Sequence, residues 1–194
     1  MSHIFHLWVT FLVLLAPFFA LSMFVLYTAN ATARERARLA LKITFAVLII
    51  CLLLFFTGSA LLDLAGITLD SFRVGAGTLL FLSAVSLVQG SNQTATPGTD
   101  IAVVPMAIPI IVGPATTGGI LVVGAEATTH AETVQAVIAL LFAIAAVGGI
   151  LLAANAIERI IKQRGIIILS KLTGLFLSAL ASQMIFGGIK NILR

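Results

Sequence analysis

Charge is what this sequence has least of. Only 9% of its 194 residues are Asp, Glu, Lys or Arg, while 60% are hydrophobic, and a soluble domain carries roughly 25% charged residues. A soluble chain of this length could not hide so much apolar surface, so the excess requires lipid. One cysteine, Cys51, excludes an internal disulfide; it lies in an apolar run and reads as a packing or lipid-facing residue. Tyr and Trp occur once each against thirteen Phe, so the aromatic belt is thin. No Lys or Arg precedes the first apolar run, and that run exceeds the roughly 7–15 residues of a signal-peptide core, which favours a retained span.

Catalytic and nucleotide motifs are lacking too. His3, His6 and His130 stand at the N-terminal edge or in a loop, with no carboxylate or Cys at metal-ligand spacing and no HExxH. There is no phosphate-binding glycine loop. The expectation is therefore no enzyme, no cofactor and no metal. The formal charge of +4 does not mark nucleic acid, because the basic residues gather in two places between apolar runs rather than along a face.

What is present is six apolar runs long enough to cross a bilayer, which takes about 20 residues. They are Phe5–Thr28, Leu39–Leu62, Phe72–Gln89, Ile101–Gly124, Thr133–Ala156 and Ile166–Leu193. Backbone satisfaction in lipid makes them helices, so the fold class is an all-α membrane protein. Arg34, Arg36, Arg38 and Lys42 are expected in a loop after the first span, and Arg159, Lys162, Arg164 and Lys171 in one between the fifth and sixth. Four crossings separate these groups, so six spans put both on one side. The positive-inside rule makes that side cytoplasmic and puts both termini outside. The Ser91–Asp100 stretch, with Pro97 and Gly98, reads as a linker.

Sliding the chain by 97 residues, half its length, superimposes residues 1–97 on 98–194. Pro17 meets Pro114, Thr32 and Glu35 meet Thr129 and Glu132, Gly77 meets Gly174, and Gly90 meets Gly187. Each half holds three spans. An odd number makes the second half enter the membrane from the opposite face, an inverted-topology repeat of the kind used by secondary transporters.

Spans one and four are interrupted. Residues Val104–Gly119 hold Pro105, Pro109 and Pro114 with Gly113, Gly118 and Gly119. Each proline removes a donor and clashes with the preceding turn, and freed carbonyls at membrane depth need partners. Span one has a milder break at Pro17. Discontinuous helices here would aim half-helix N-termini at an anionic group. Candidate substrate-binding residues are Pro17, Ser22, Pro109, Gly113, Pro114, Thr116 and Thr117, with Gln183 and Asn155 as polar lining or interhelical hydrogen bonds. The competing reading is a kinked but unbroken helix, the stronger one for Pro17 taken alone. Gly75, Gly77, Gly90, Gly174, Gly187 and Gly188 are expected to bring helices close. Arg73 and Lys42 are expected to snorkel to the interface.

The run Ile101–Pro109 continuing to Gly113-Pro114 resembles the signature of the MarC family of prokaryotic membrane proteins, also called UPF0056. Thr32-x-x-Glu35-Arg36, Arg73 with Gly75 and Gly77, and Gly174 with Gln183 and Gly187 resemble it as well. The resemblance spans nearly the whole chain. It implies six spans in the inner membrane and a relation to transporters of small neutral amino acids such as glycine and alanine. Two places differ: the family's Asn-Pro or Asp-Pro of span one is Ala16-Pro17, and its Gly-Pro-Gly of span four is Gly113-Pro114-Ala115. The first change removes a polar candidate ligand.

The functional reading is a secondary transporter of a small solute, with lipid around it and Na⁺ or H⁺ as candidate coupling ions. The alternatives are a structural or regulatory membrane protein, or a channel. The acidic residues fall in loops or at span ends, which disfavours a buried carboxylate proton path.

Overall fold

The computed structural model describes residues 2–89, 107 and 110–193. Its elements are α1 (Ser2–Leu14), α2 (Pro17–Tyr27), α3 (Ala33–Ala65), α4 (Leu69–Gln89), α5 (Pro114–Glu126), α6 (His130–Leu152) and α7 (Ala154–Ile192). No strand occurs among the described residues. Five helical stretches are long and apolar enough to cross a membrane: His3–Tyr27, Ala33–Gly58, Leu69–Gln89, His130–Leu152 and Arg164–Ile192. They correspond to the first, second, third, fifth and sixth expected spans. The Ser91–Asp100 linker, Gly90, Pro105, Pro109 and Arg194 lie outside the described residues. The fourth expected span overlaps α5, whose 13 residues cover about 20 Å of a hydrocarbon core about 30 Å thick.

Two basic clusters stand in helices rather than in the expected loops. Arg34, Arg36, Arg38 and Lys42 ride on the first turns of α3. The reason is a capping box: the Thr32 side chain accepts from the Glu35 amide, and Glu35 accepts from the Thr32 amide at 2.8 Å. The helix therefore starts before its apolar run does. Its other end is closed by Gly66, whose φ of 65° is the left-handed conformation that stops a helix. Between α6 and α7 there is one residue, Ala153. Arg159, Lys162, Arg164 and Lys171 lie within α7, which turns at Lys162 with φ 57° and ψ 167°.

Helix starts recur at the 97-residue spacing. Pro17 opens α2 and Pro114 opens α5, while Ala33 opens α3 and His130 opens α6. The second capping box, Thr129 with Glu132, matches the first. Packing runs mainly between the two halves of the chain. The largest interface joins α4 to α7; α3 meets α5 and α6, α1 meets α6, α2 meets α7, and α5 meets α4. Among the described residues, contacts between helices within either half are few. The stretch made of α1 and α2 is the most buried of the five, with Phe11, Leu15, Leu21 and Phe24 fully enclosed. Outside, Phe45, Leu53, Phe56, Phe142, Phe176 and Phe186 are exposed, a surface suited to acyl chains and not to water.

Glycines set the closest crossings. A Cβ at Gly124 would collide with the Phe55 carbonyl oxygen, so the missing side chain fixes α5 against α3. Gly77, Gly174 and Gly188 bring α4 onto α7 in the same way. A Cβ at Gly75 or Gly187 would meet nothing within 4 Å, so the packing role expected of these two is not theirs. Gly124→Ala should force α3 and α5 apart and cost about 1–3 kcal/mol. Thermal unfolding of the detergent-solubilised protein should show a lowered midpoint for Gly124→Ala and an unchanged or raised one for Gly75→Ala. Equal midpoints for the two variants would contradict this assignment.

Candidate functional site

The break in the first span is real and sharp. The Ala16 amide donates to the Val13 carbonyl at 3.0 Å, tightening the last turn of α1. Ala16 itself is left-handed, with φ 44° and ψ 60°. Pro17, which has no amide hydrogen to lose, then takes the first position of α2. In an unbroken helix the Leu14 carbonyl would accept from residue 18. Here it accepts instead from the Thr116 hydroxyl at 2.9 Å. The reading of Pro17 as a mere kink gives way to a discontinuous helix.

The second break also opens a helix at a proline, but its turn differs. The Val112 amide donates to the Ala107 carbonyl at 2.9 Å, a widened turn. Gly113 is the extended N-cap and Pro114 the first residue of α5. The helical ladder resumes with the Thr117 amide on the Gly113 carbonyl at 2.9 Å. The Thr116 hydroxyl also lies 3.0 Å from the Ile111 carbonyl. Leu14 and Ile111 are 97 residues apart, so one hydroxyl proton is shared between the two carbonyls that correspond in the two halves. Thr116 is 4% exposed. At the starts of α2 and α5, the amides of Phe18 and Phe19 and of Ala115 and Thr116 have no acceptor within their own helix. Two positive half-helix ends thus occur at corresponding places.

A cavity of about 330 Å³ extends from this junction toward one end of the bundle. Leu14 and Gly119 line it on the junction side, and His6, Arg73, Glu126 and Gly187 near the helix ends. Gln183 lines it as well. Arg73 pairs with Asp70 at 2.7 Å and with Glu126 on α5, and Asn191 donates to Asp70 at 3.1 Å. At the opposite end, Arg36 donates to the Thr28 carbonyl at 3.0 Å, to Asn155 at 2.5 Å and to Glu158 at 3.1 Å. Asn155 is therefore an interhelical partner that lines a separate hollow with Ala33, Glu158 and Arg159.

The candidates thus separate. Pro17, Gly113, Pro114, Thr116 and Thr117 belong to the two breaks. Ser22 sits partly buried in α2 beyond the first break. Pro109 lies outside the described residues. The Arg73 guanidinium is held by two carboxylates, with 16% of its side chain exposed. Its partner Glu126 is 53 residues away in sequence, so no local pattern signals the pair. Among the described residues no group of His, Cys, Asp and Glu could hold a metal ion.

The MarC family model, described as an integral membrane protein family, matches residues 1–193. The chain belongs to the MarC family. A UPF0056 membrane protein of Methanocaldococcus jannaschii is 31% identical over 93% of this chain and 92% of its own. The Escherichia coli membrane protein YhcE is 29% identical over 92% of this chain and 88% of its own. The Escherichia coli inner membrane protein YhgN is 24% identical over 94% of this chain and 93% of its own. No solved structure matches. Membership of the MarC family makes the chain a multi-pass integral membrane protein, in accord with the five apolar helical spans.

In this MarC protein, Thr116→Val should leave the Leu14 and Ile111 carbonyls without their donor, at a cost of about 1–3 kcal/mol. Thr116→Ser should keep most of that stability. Circular dichroism melts in detergent decide the matter; a valine variant as stable as wild type would show that the hydroxyl bridge holds nothing.

Proposed function

We propose that this chain is a secondary transporter of the prokaryotic inner membrane, carrying a small solute across it. The class to test first is small neutral amino acids such as glycine and alanine, to which the family resemblance points. On this reading residues 1–97 and 98–194 are inverted three-span halves, and the fourth crossing ends in α5. The observation that carries the proposal is the pairing of two helix breaks at corresponding positions, joined through the Thr116 hydroxyl. Discontinuous helices meeting at a repeat interface are how such transporters build a midplane site. The recurrence of helix starts and capping boxes supports the repeat, as does packing that runs mainly between the halves.

The amides at the starts of α2 and α5 suit a carboxylate or another anionic group. Thr117, beside the second break, is the hydroxyl left to the solute, because Thr116 is committed to the backbone. The Arg36 end, with its basic residues, is the cytoplasmic side by the positive-inside rule, and both termini are outside. Transport would be driven by a Na⁺ or H⁺ gradient or by exchange.

Uptake of radiolabelled glycine and alanine into sealed proteoliposomes tests the proposal. Accumulation under a Na⁺ or H⁺ gradient is expected. Pro114→Ala, which restores an amide hydrogen that lets the helix run on, and Thr117→Val, which removes a hydroxyl, should insert normally and transport roughly tenfold less. If neither amino acid nor a related small solute accumulates under either gradient, the proposal fails. If both variants transport normally, the site lies elsewhere.

A further inference from the structure

Two helix pairs are fixed by backbone-close contacts. In one, Gly124 of α5 lies against the Phe55 carbonyl of α3, and Gly58 of α3 against Leu121 of α5. In the other, Gly188 of α7 lies against the Asp70 carbonyl of α4, and Gly174 of α7 against the Ala84 carbonyl of α4. At Gly124, Gly174 and Gly188 the atom met is a main-chain oxygen rather than a flexible side chain, so these contacts have little slack. The cavity toward the helix breaks is lined by α1, α5 and α7, with Arg73 contributed from α4. Near the break, α5 rests on α4 through Gly118 against Ala76. At the helix ends, the link across the cavity is the ion pair of Arg73 on α4 with Glu126 on α5.

We propose that the Arg73–Glu126 pair is a reversible latch: while closed it holds α5 onto the α4–α7 pair, and its release opens the cavity toward the broken helices. The inference deepens the transport reading by naming the control of its access path.

Both side chains are placed for this. Asp70 holds Arg73 on its own helix, and Asn191 of α7 holds Asp70. The guanidinium therefore stays with α4 and α7 whether or not Glu126 is bound. Glu126 is the last residue of α5 and its side chain is 48% exposed, so water can take the carboxylate on release. Only Arg73 is largely buried, and Asp70 keeps it paired when Glu126 leaves, so release costs little, as a latch that opens repeatedly requires. A buried pair would lock the cavity, because freeing either charge would leave it desolvated.

The test is the rate at which a charged thiol reagent modifies a cysteine placed at Val123, which lines the cavity. It uses the full chain in detergent micelles, with Cys51→Ser as background. Arg73→Gln and Glu126→Gln should each speed modification about three- to fivefold, the range of one weak ion pair. The double variant should be no faster than the quicker single, because both remove the same link. Should Arg73→Gln fail to fold, Glu126→Gln at the exposed helix end still decides. Unchanged rates overturn the latch, as does a double variant whose acceleration is the product of the two singles. Wild-type uptake measured in parallel separates the two ideas. Faster labelling without uptake removes the transport reading alone, and uptake with unchanged labelling removes the latch alone.

Discussion

A carbonyl freed inside a bilayer has no water to turn to, and at both helix breaks its donor is the hydroxyl of Thr116. This requirement organises the centre of the molecule. Pro17 and Pro114 can open α2 and α5 because neither needs an acceptor for a missing amide hydrogen. The turns before them release the carbonyls of Leu14 and Ile111. One buried threonine shares its proton between the two, tying the end of α1 to the start of α5 across 102 residues of sequence. The breaks are therefore not independent defects; each is stable because the other is beside it.

The same interdependence extends to the whole bundle. Packing runs from one half of the chain to the other, and the glycine contacts bring backbones within van der Waals range where it does. Charges are placed at the two ends, where water can solvate them. Arg36 with Asn155 and Glu158 joins α3 to α7 at one end, and Arg73 with Asp70 and Glu126 joins α4 to α5 at the other. Between the ends there is a broken, apolar middle with a cavity reaching it from one side.

Much of this is legible in the sequence because lipid imposes long apolar runs and tolerates few exceptions. The five apolar spans, the family and the weak points at Pro17 and Pro114 can all be read there. Thr32 with Glu35 and Thr129 with Glu132 mark the 97-residue register, and each pair is a capping box. The boxes also explain an expectation that failed. Arg34, Arg36 and Arg38 precede the apolar run but already stand in the helix, because a cap begins a helix wherever its hydrogen bonds close. The pairing of Arg73 with Glu126 and of Arg36 with Glu158 depends on how the halves interlock, over separations of 53 and 122 residues. Composition and periodicity carry no trace of that. The role of Thr116 is hidden for the same reason: a hydroxyl after a proline suits a solute as well as a carbonyl, and only the arrival of Leu14 beside it decides.

On the proposed transport reading, residues 1–97 and 98–194 cross the membrane in opposite senses, which would place matched residues on opposite faces. The most direct test is the sidedness of Thr32 and Thr129, the matched N-caps. Single cysteines at these positions in a Cys51→Ser background, probed in intact cells with a membrane-impermeant maleimide, report the side directly. Inverted halves predict that the cysteine at 129 is labelled from outside and the one at 32 only after the membrane is permeabilised. Labelling of both from the same side would contradict them.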